Sequence, residues 1–486
     1  MADVSSSILI KPLMDESGVC FGTSGMRGLV TNMTEHLCGA YVTAFLQEIV
    51  PDAKQIVLGH DLRPSSPMIV AACAKAISAG NKSIIFAGAL PTPALAWFAL
   101  QNNVPAIMVT GSHIPFDRNG IKFYTPKGEI TKEDEIAITN AKVPNLFLNN
   151  VYPELKITST PIESYRNRYL QFFPAHFLQG MRIGVYEHSS VARDFLLNIL
   201  TEFGATVISL GRTDDFVPID TEAVSDADQA LGKSWANQYK LDAILSTDGD
   251  ADRPLISDEF GNWFRGDVVG LLCAKYLGAK KVVTPISSTT AIERSQFFED
   301  VIHTKIGSPY VIEAMENVLI NKNTKVVGFE ANGGFLVGDT FKINNLELLP
   351  LLTRDAILPI LALLALAKNT GIPLSKLHTL LPCRFTASDR IKNFPRENSE
   401  KIIRYLTTSH IEIQNLLGDI CGRLVSINET DGLRLIFETE EIIHLRPSGN
   451  APELRCYAEA NSNERANLLV KTALHQFSLK ALSILG

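Results

Sequence analysis

The stretch MRIGVYEHSSVARDFLLNILTEFG, residues 181–204, decides the fold. It opens with an apolar run of strand character, passes through a polar loop and continues in a helical pattern that stops at Gly204. A second short strand, ATVISL at 205–210, follows, and a third, AILST at 243–247, runs into the loop DGDADR. The same order is written at 55–80 (QIVLGHDLRPSSPMIVAACAKAISAG, then SIIFAG) and at 280–300 (KKVVTPISSTTAIERSQFFED, then DVIHTKIG). Their third strands end in AIMVTGSHIPFDRNG and KVVGFEANGG. Strands alternating with helical segments imply βαβ units and largely parallel sheets.

The expected fold class is therefore α/β: three related mixed or parallel-sheet domains and a smaller C-terminal α+β domain around a central cleft. The boundaries are placed at 1–158, 159–264, 265–375 and 376–486, the last because the pattern changes after Thr370. In open α/β sheets ligands bind beyond the carboxyl ends of the strands, so the three third-strand loops and a fourth at Leu445–Pro452 are candidates to converge on one cleft.

The 486 residues suffice for three or four domains. With 46% hydrophobic and 20% charged residues the chain has the composition of a folded globular protein, which excludes disordered and disulfide-scaffold classes. Lys plus Arg number 45 against 52 Asp plus Glu, a net charge of -7 without a long basic run, so no nucleic-acid partner is expected. Seven dispersed cysteines, none in a CxxC pair, read as reduced core thiols. The N-terminus has no signal-type apolar core, and the longest apolar run, Ala356–Ala367, is too short to span a bilayer. A cytoplasmic protein with no membrane partner, monomeric or dimeric, is expected.

In the first loop Ser112 is expected to stand exposed at a strand end, free to act as a nucleophile or phosphate carrier, with His113 beside it. Neighbours on an extended chain point apart, so a direct Ser–His dyad is poor geometry. In the second loop Asp248, Asp250 and Asp252 would repel unless neutralised, and hard oxygen donors at this spacing suit Mg²⁺ or Ca²⁺. An EF-hand does not fit: its sixth position needs Gly and is Arg253, and the flanks read as strands. The third loop presents Glu330 and Asn332, a pair suited to sugar hydroxyls. In the fourth, Arg446-Pro447-Ser448-Gly449-Asn450 makes a nest for a phosphate dianion. Arg27, Arg63 and Lys305, at other strand ends, would make the same cleft positive.

These loops, in this order, resemble the α-D-phosphohexomutase superfamily over nearly the whole chain. The motifs are FGTSGMRG at 21–28, TGSHIPFDRNGIKFY at 110–124, DGDADR at 248–253, GFEANGG at 328–334 and RPSGNAPELRCYAEA at 446–460. The wording TGSHIP, EANGG and RPSGNAPE looks closest to bacterial phosphomannomutases of the GDP-mannose and O-antigen pathways.

The resemblance implies an enzyme of hexose phosphates. Ser112 would be the phosphoserine, and Asp248, Asp250 and Asp252 with a phosphoryl oxygen of Ser112 would hold Mg²⁺. Arg27, Lys122 and Arg253 would surround the transferring group, with His113 exchanging the proton. Glu330 and Asn332 would read the sugar, and Lys305, Arg446, Ser448, Gly449 and Asn450 would bind the substrate's other end. The activity implied is interconversion of mannose 6-phosphate and mannose 1-phosphate through a hexose 1,6-bisphosphate. Glucose or dual specificity and, further off, glucosamine stand as alternatives; a metal-dependent phosphatase and a non-catalytic sugar-phosphate binding protein are the other classes. Several positions depart from the family wording: Gly111 and Ile114 stand where Ala and Asn are common, Asn332 where Ser is common, Gly334 where some members carry His, Asn450-Ala451 where Thr-Glu is frequent, and Ser308 where some members have His.

Overall fold

The computed structural model describes residues 7–22, 25–144, 152–321, 324–448 and 453–485, with side chains up to residue 481. The repeat seen in the sequence is a repeat in topology. In the first unit strand Gln55–His60 lies parallel to both Ser83–Ala89 and Ala106–Val109, and Arg118–Thr125 returns antiparallel to Ala106–Val109. In the second, Arg182–Tyr186 is flanked by parallel Thr206–Leu210 and Ala243–Thr247, with Pro254–Ser257 returning antiparallel. In the third, Lys281–Pro285 lies between Asp300–Thr304 and Val326–Phe329, and Phe335–Val337 returns. Each functional loop is thus the reversal between a parallel strand and its antiparallel partner. Both ends are held in a sheet, so the loop tip has little freedom.

The C-terminal unit is an antiparallel sheet in the order Phe385–Ile391, Leu454–Ala460, Ile442–Pro447, Leu433–Phe437, Leu424–Asn428, covered by helices including Arg396–Thr408 and Asn463–Leu485. Its own apolar core is separate from the one that runs through the second and third units and reaches the first.

Two expectations change, and a third holds. The helical segment of the third repeat is a single turn, Ala291–Arg294. Its Ser/Thr-rich approach makes side-chain hydrogen bonds in place of helical ones: Thr284 Oγ1 pairs with Ser288 Oγ, and Thr289 Oγ1 donates to Glu459 Oε1. Of the seven free cysteines, Cys20 and Cys383 are exposed and are not core thiols. The apolar run forms helix Ile357–Thr370, buried from Ile357 to Ala367. Among the described residues no single helix is long and apolar enough to cross a membrane.

Among the contacts that tie the fourth unit to the third, one carboxylate takes several donors. Glu459 accepts from Thr289 Oγ1 at 2.7 Å and Thr290 N at 2.8 Å, and lies 3.4 Å from Arg384 Nε. Thr289 and Arg384 are buried, so loss of the carboxylate leaves their polar groups unsatisfied. Glu459→Ala is expected to lower stability by about 3 kcal/mol, read by urea unfolding; an unchanged midpoint would show that the contact is not what holds this unit.

Candidate active site

Strand Ala106–Val109 delivers Ser112 into the interior rather than to the surface: its side chain has no solvent exposure, contrary to the expectation from sequence. The residue adopts a left-handed backbone with φ of 52°. This sharp turn also overturns the argument against a Ser–His contact, because it brings Ser112 Oγ to 3.3 Å from His113 Nδ1. Ser112 Oγ donates to Asp248 Oδ2 at 2.7 Å, joining the first loop to the second.

Arg63 holds this turn. Its guanidinium donates to the carbonyls of Ser112, Ile114, Pro115 and Arg118 and lies 3.3 Å from Asp61 Oδ2. The sequence reading placed Arg63 among the cations of the cleft; the structure corrects this, since its donors are taken by carbonyl oxygens. Asp61 in turn accepts from Thr110 Oγ1, Gly111 N and Ser66 Oγ. A Cβ at Gly111 would lie 2.5 Å from the Arg63 guanidinium, which accounts for glycine at this position.

Asp248, Asp250 and Asp252 each offer a carboxylate oxygen, and these atoms lie within 4.8 Å of one another. All three are buried. Lys122 Nζ bridges Asp250 Oδ2 at 2.7 Å and Asp252 Oδ2 at 2.8 Å, and Thr92 Oγ1 donates to Asp250 Oδ2. Arg253 Nε stands 3.9 Å from Asp248 and 3.6 Å from Asp252. Burial and the charges of Asp252 and Asp250 push the Asp248 carboxyl well above the usual range. Burial acts the same way on Asp252, but Arg354, Lys122 and Arg253 outweigh it and hold that carboxyl well below. Asp250 Oδ1 and Asp252 Oδ1 are buried without a hydrogen-bond partner. Buried oxygens left open beside a hydroxyl are what a hard divalent cation would use, so the residues fit Mg²⁺.

Arg27 sits near this cluster; burial and the positive charges of Arg253 and Arg354 draw it down to about 10. Burial, with Arg253 and Arg27, lowers His113 well below the ordinary imidazole range, so it is neutral at pH 7. The third loop brings Glu330 to the same place through Arg354, whose Nη1 lies 3.1 Å from Glu330 Oε1 and whose Nη2 lies 2.6 Å from Asp252 Oδ2. Asn332 Oδ1 accepts from Gly334 N and its carbonyl from Thr221 Oγ1.

Lys305 and Arg446 line a cavity of about 840 Å³ between the first, third and fourth units, together with Phe21, Tyr310 and Arg404. Asp431 ties that end together, accepting from Ile306 N at 2.8 Å and pairing with Arg446 Nε at 2.9 Å. Ser448 is buried, its N–H donating to the Glu453 carbonyl. Gly449 and Asn450 lie outside the described residues. Ser112 and the aspartates do not line this cavity; they are buried, while His113 and Arg27 beside them are half-buried.

Sequence reasoning missed Asp61, Thr92, Arg354 and Asp431. Asp61 and Thr92 follow the first two strands of the first repeat, where the strand-end rule applies to them as well as to Ser112. Arg354-Asp355 is a charged pair inside the otherwise apolar run LLPLLTRDAILPI, which was a visible signal.

A buried serine hydroxyl on a trio of aspartates, ringed by cations from several α/β units, defines a phosphoryl-handling enzyme of the phosphohexomutase architecture. Family models of phosphoglucomutase/phosphomannomutase match all four units: the α/β/α domain I over residues 18–143, domain II over 164–261, domain III over 265–384 and the C-terminal domain over 391–475. The chain belongs to the phosphoglucomutase/phosphomannomutase family, a group of isomerases. It is 47% identical to a phosphomannomutase of Salmonella muenchen, covering 96% of this chain and 97% of the relative. It is 42% identical to one of Sinorhizobium fredii, covering 94% and 98%. A solved phosphoglucomutase/phosphomannomutase family protein of Burkholderia thailandensis shares the fold, with a TM-score of 0.72 at 16% identity over 94% of this chain and 97% of that one.

Because Arg63 satisfies four carbonyls from within the interior, Arg63→Ala should lower stability by about 3 kcal/mol or more in urea unfolding. Arg63→Lys, with a point charge in place of the fork, should restore only part of it. A stability within experimental error of wild type for Arg63→Ala would remove this residue as the support of the Ser112 turn.

Proposed function

We propose that this chain is a phosphomannomutase that interconverts mannose 6-phosphate and mannose 1-phosphate, supplying the precursor of GDP-mannose. The observation that carries the phosphoserine reading is the 2.7 Å hydrogen bond from Ser112 Oγ to Asp248, made across two domains in a buried acidic site. The preference for mannose rests on the identity to curated phosphomannomutases.

In this reading phosphorylated Ser112 gives its phosphoryl group to the free hydroxyl of a hexose monophosphate. The P–O bond to Ser112 breaks and a P–O bond to the sugar forms, giving a hexose 1,6-bisphosphate. The sugar hydroxyl loses its proton to neutral His113, which stands beside Ser112 Oγ and can pass the proton to that oxygen as it leaves. Arg27, Lys122 and Arg253 surround the transferring group and offset the charge on its oxygens. Asp248, Asp250, Asp252 and an oxygen of the phosphorylated Ser112 would hold Mg²⁺, which supplies electrostatic stabilisation of the phosphoryl oxygens. Glu330 and Asn332 orient the sugar, while Lys305, Arg446, Ser448, Gly449 and Asn450 grip the other phosphate. The bisphosphate then turns within the site, and its second phosphate returns to Ser112 by the same steps.

Intact-mass spectrometry of the purified protein should find one phosphate on Ser112. Ser112→Ala should lose it together with at least about 1,000-fold of mannose 1-phosphate turnover, the scale of loss when a covalent nucleophile is removed. Undiminished turnover in the alanine variant would contradict the phosphoserine mechanism; hydrolysis of the bisphosphate without isomerisation would identify a phosphatase instead. Greater catalytic efficiency on glucose 1-phosphate or glucosamine 1-phosphate would move the substrate assignment.

A further inference from the structure

Arg354 stands where the aspartate loop meets the sugar loop. It belongs to strand Leu351–Asp355, which lies beside Phe335–Val337, the strand leaving the sugar loop. One arm of its guanidinium binds Asp252 and the other binds Glu330, and all three side chains are buried. Asp252 Oδ2 takes both Arg354 Nη2 and Lys122 Nζ, while Oδ1 of the same carboxylate has no hydrogen-bond partner and only Arg253 Nε at 3.6 Å. Two cations on one oxygen therefore hold Asp252 in place and leave the other oxygen without a hydrogen bond.

The strand that carries Arg354 is anchored on either side of it. Thr353 Oγ1 donates to Glu129 Oε1 at 2.8 Å. Asp355 accepts from Tyr165 at 2.6 Å, from Tyr169, and from Ile357 N at 2.9 Å. The stem is packed as closely as the head: a Cβ on Gly334 would lie 2.6 Å from Arg354 Cδ. The sugar loop closes around this stem, with Glu330 N donating to the Gly334 carbonyl and Gly334 N to Asn332 Oδ1. The histidine that some relatives carry at the position of Gly334 has no room while Arg354 is in place.

We propose that Arg354 is a positioning residue that couples the metal-binding carboxylate Asp252 to the sugar-reading carboxylate Glu330, so that one guanidinium sets the geometry of both. This deepens the phosphomannomutase reading and rests on its assignment of the two loops. Its chemistry requires arginine. A planar fork reaches two carboxylates at fixed angles, whereas a lysine ammonium on a flexible stem can satisfy only one of them well. The coupling also gives Gly334 a function: its missing side chain is the space in which the arginine stem lies.

Two variants approach the contact from opposite sides. Arg354→Lys keeps the charge and removes the fork; Gly334→Ala keeps the arginine and crowds its stem. Folding is checked by circular dichroism and thermal unfolding. Mn²⁺ binding is then measured by electron paramagnetic resonance without sugar, and mannose 6-phosphate binding by calorimetry. Partners that orient metal ligands typically affect affinity by about 10–100-fold, and each folded variant should weaken both ligands on that scale. A variant that folds yet binds both ligands as wild type does, or loses affinity for only one, overturns the coupling. If Arg354→Lys does not fold, Gly334→Ala decides by the same criteria. A wild-type protein that binds both ligands but does not isomerise mannose phosphates would contradict the mutase reading and leave the coupling intact.

Discussion

Three aspartate carboxylates held within 4.8 Å of one another in a dry interior repel strongly, and the rest of this molecule is arranged around that repulsion. The cations that offset it come from different parts of the chain. Lys122 arrives on a strand of the first unit, Arg253 follows the aspartates in the second, and Arg354 is carried by the third. No single unit of about 100 residues could bury this cluster alone. The interfaces between units and the candidate site are therefore the same structure, and the hydrogen bonds of Ser112 to Asp248 and Thr92 to Asp250 are both contacts within that site and contacts between units.

Two glycines show how the loops keep their shape. Gly111 leaves room for the Arg63 guanidinium beneath the Ser112 turn, and Gly334 leaves room for the Arg354 stem beneath the sugar loop. In each case an arginine buried on one element fills a space that a side chain on the loop would otherwise take. A loop without its own side chain at that point is supported by a cation from a neighbouring element, which also supplies donors to otherwise unpaired oxygens.

Much of this was legible from sequence because the functional loops are local: Ser112, the aspartate triplet and Glu330 each follow an apolar strand within a few residues, and the strand-end rule locates them. The threefold repeat was legible for the same reason. What was not legible depends on contacts between distant segments. Arg63 reads as one more loop cation until its carbonyl partners, some 50 residues away, are in view. The burial of Ser112 follows from a left-handed turn that no residue type announces, since serine seldom adopts it. The single-turn helix at Ala291–Arg294 reflects capture of the preceding threonines by Glu459, 170 residues away at Thr289.

The open oxygens of the aspartate trio, beside Ser112, would form a metal site completed by that serine or its phosphate. Anomalous diffraction from crystals of the full chain equilibrated with Mn²⁺ tests it. One strong peak is expected at about 2.0–2.3 Å from an oxygen of each of Asp248, Asp250 and Asp252, with Ser112 or its phosphate as a further ligand. Crystals at saturating Mn²⁺ with no peak among these three residues would contradict it.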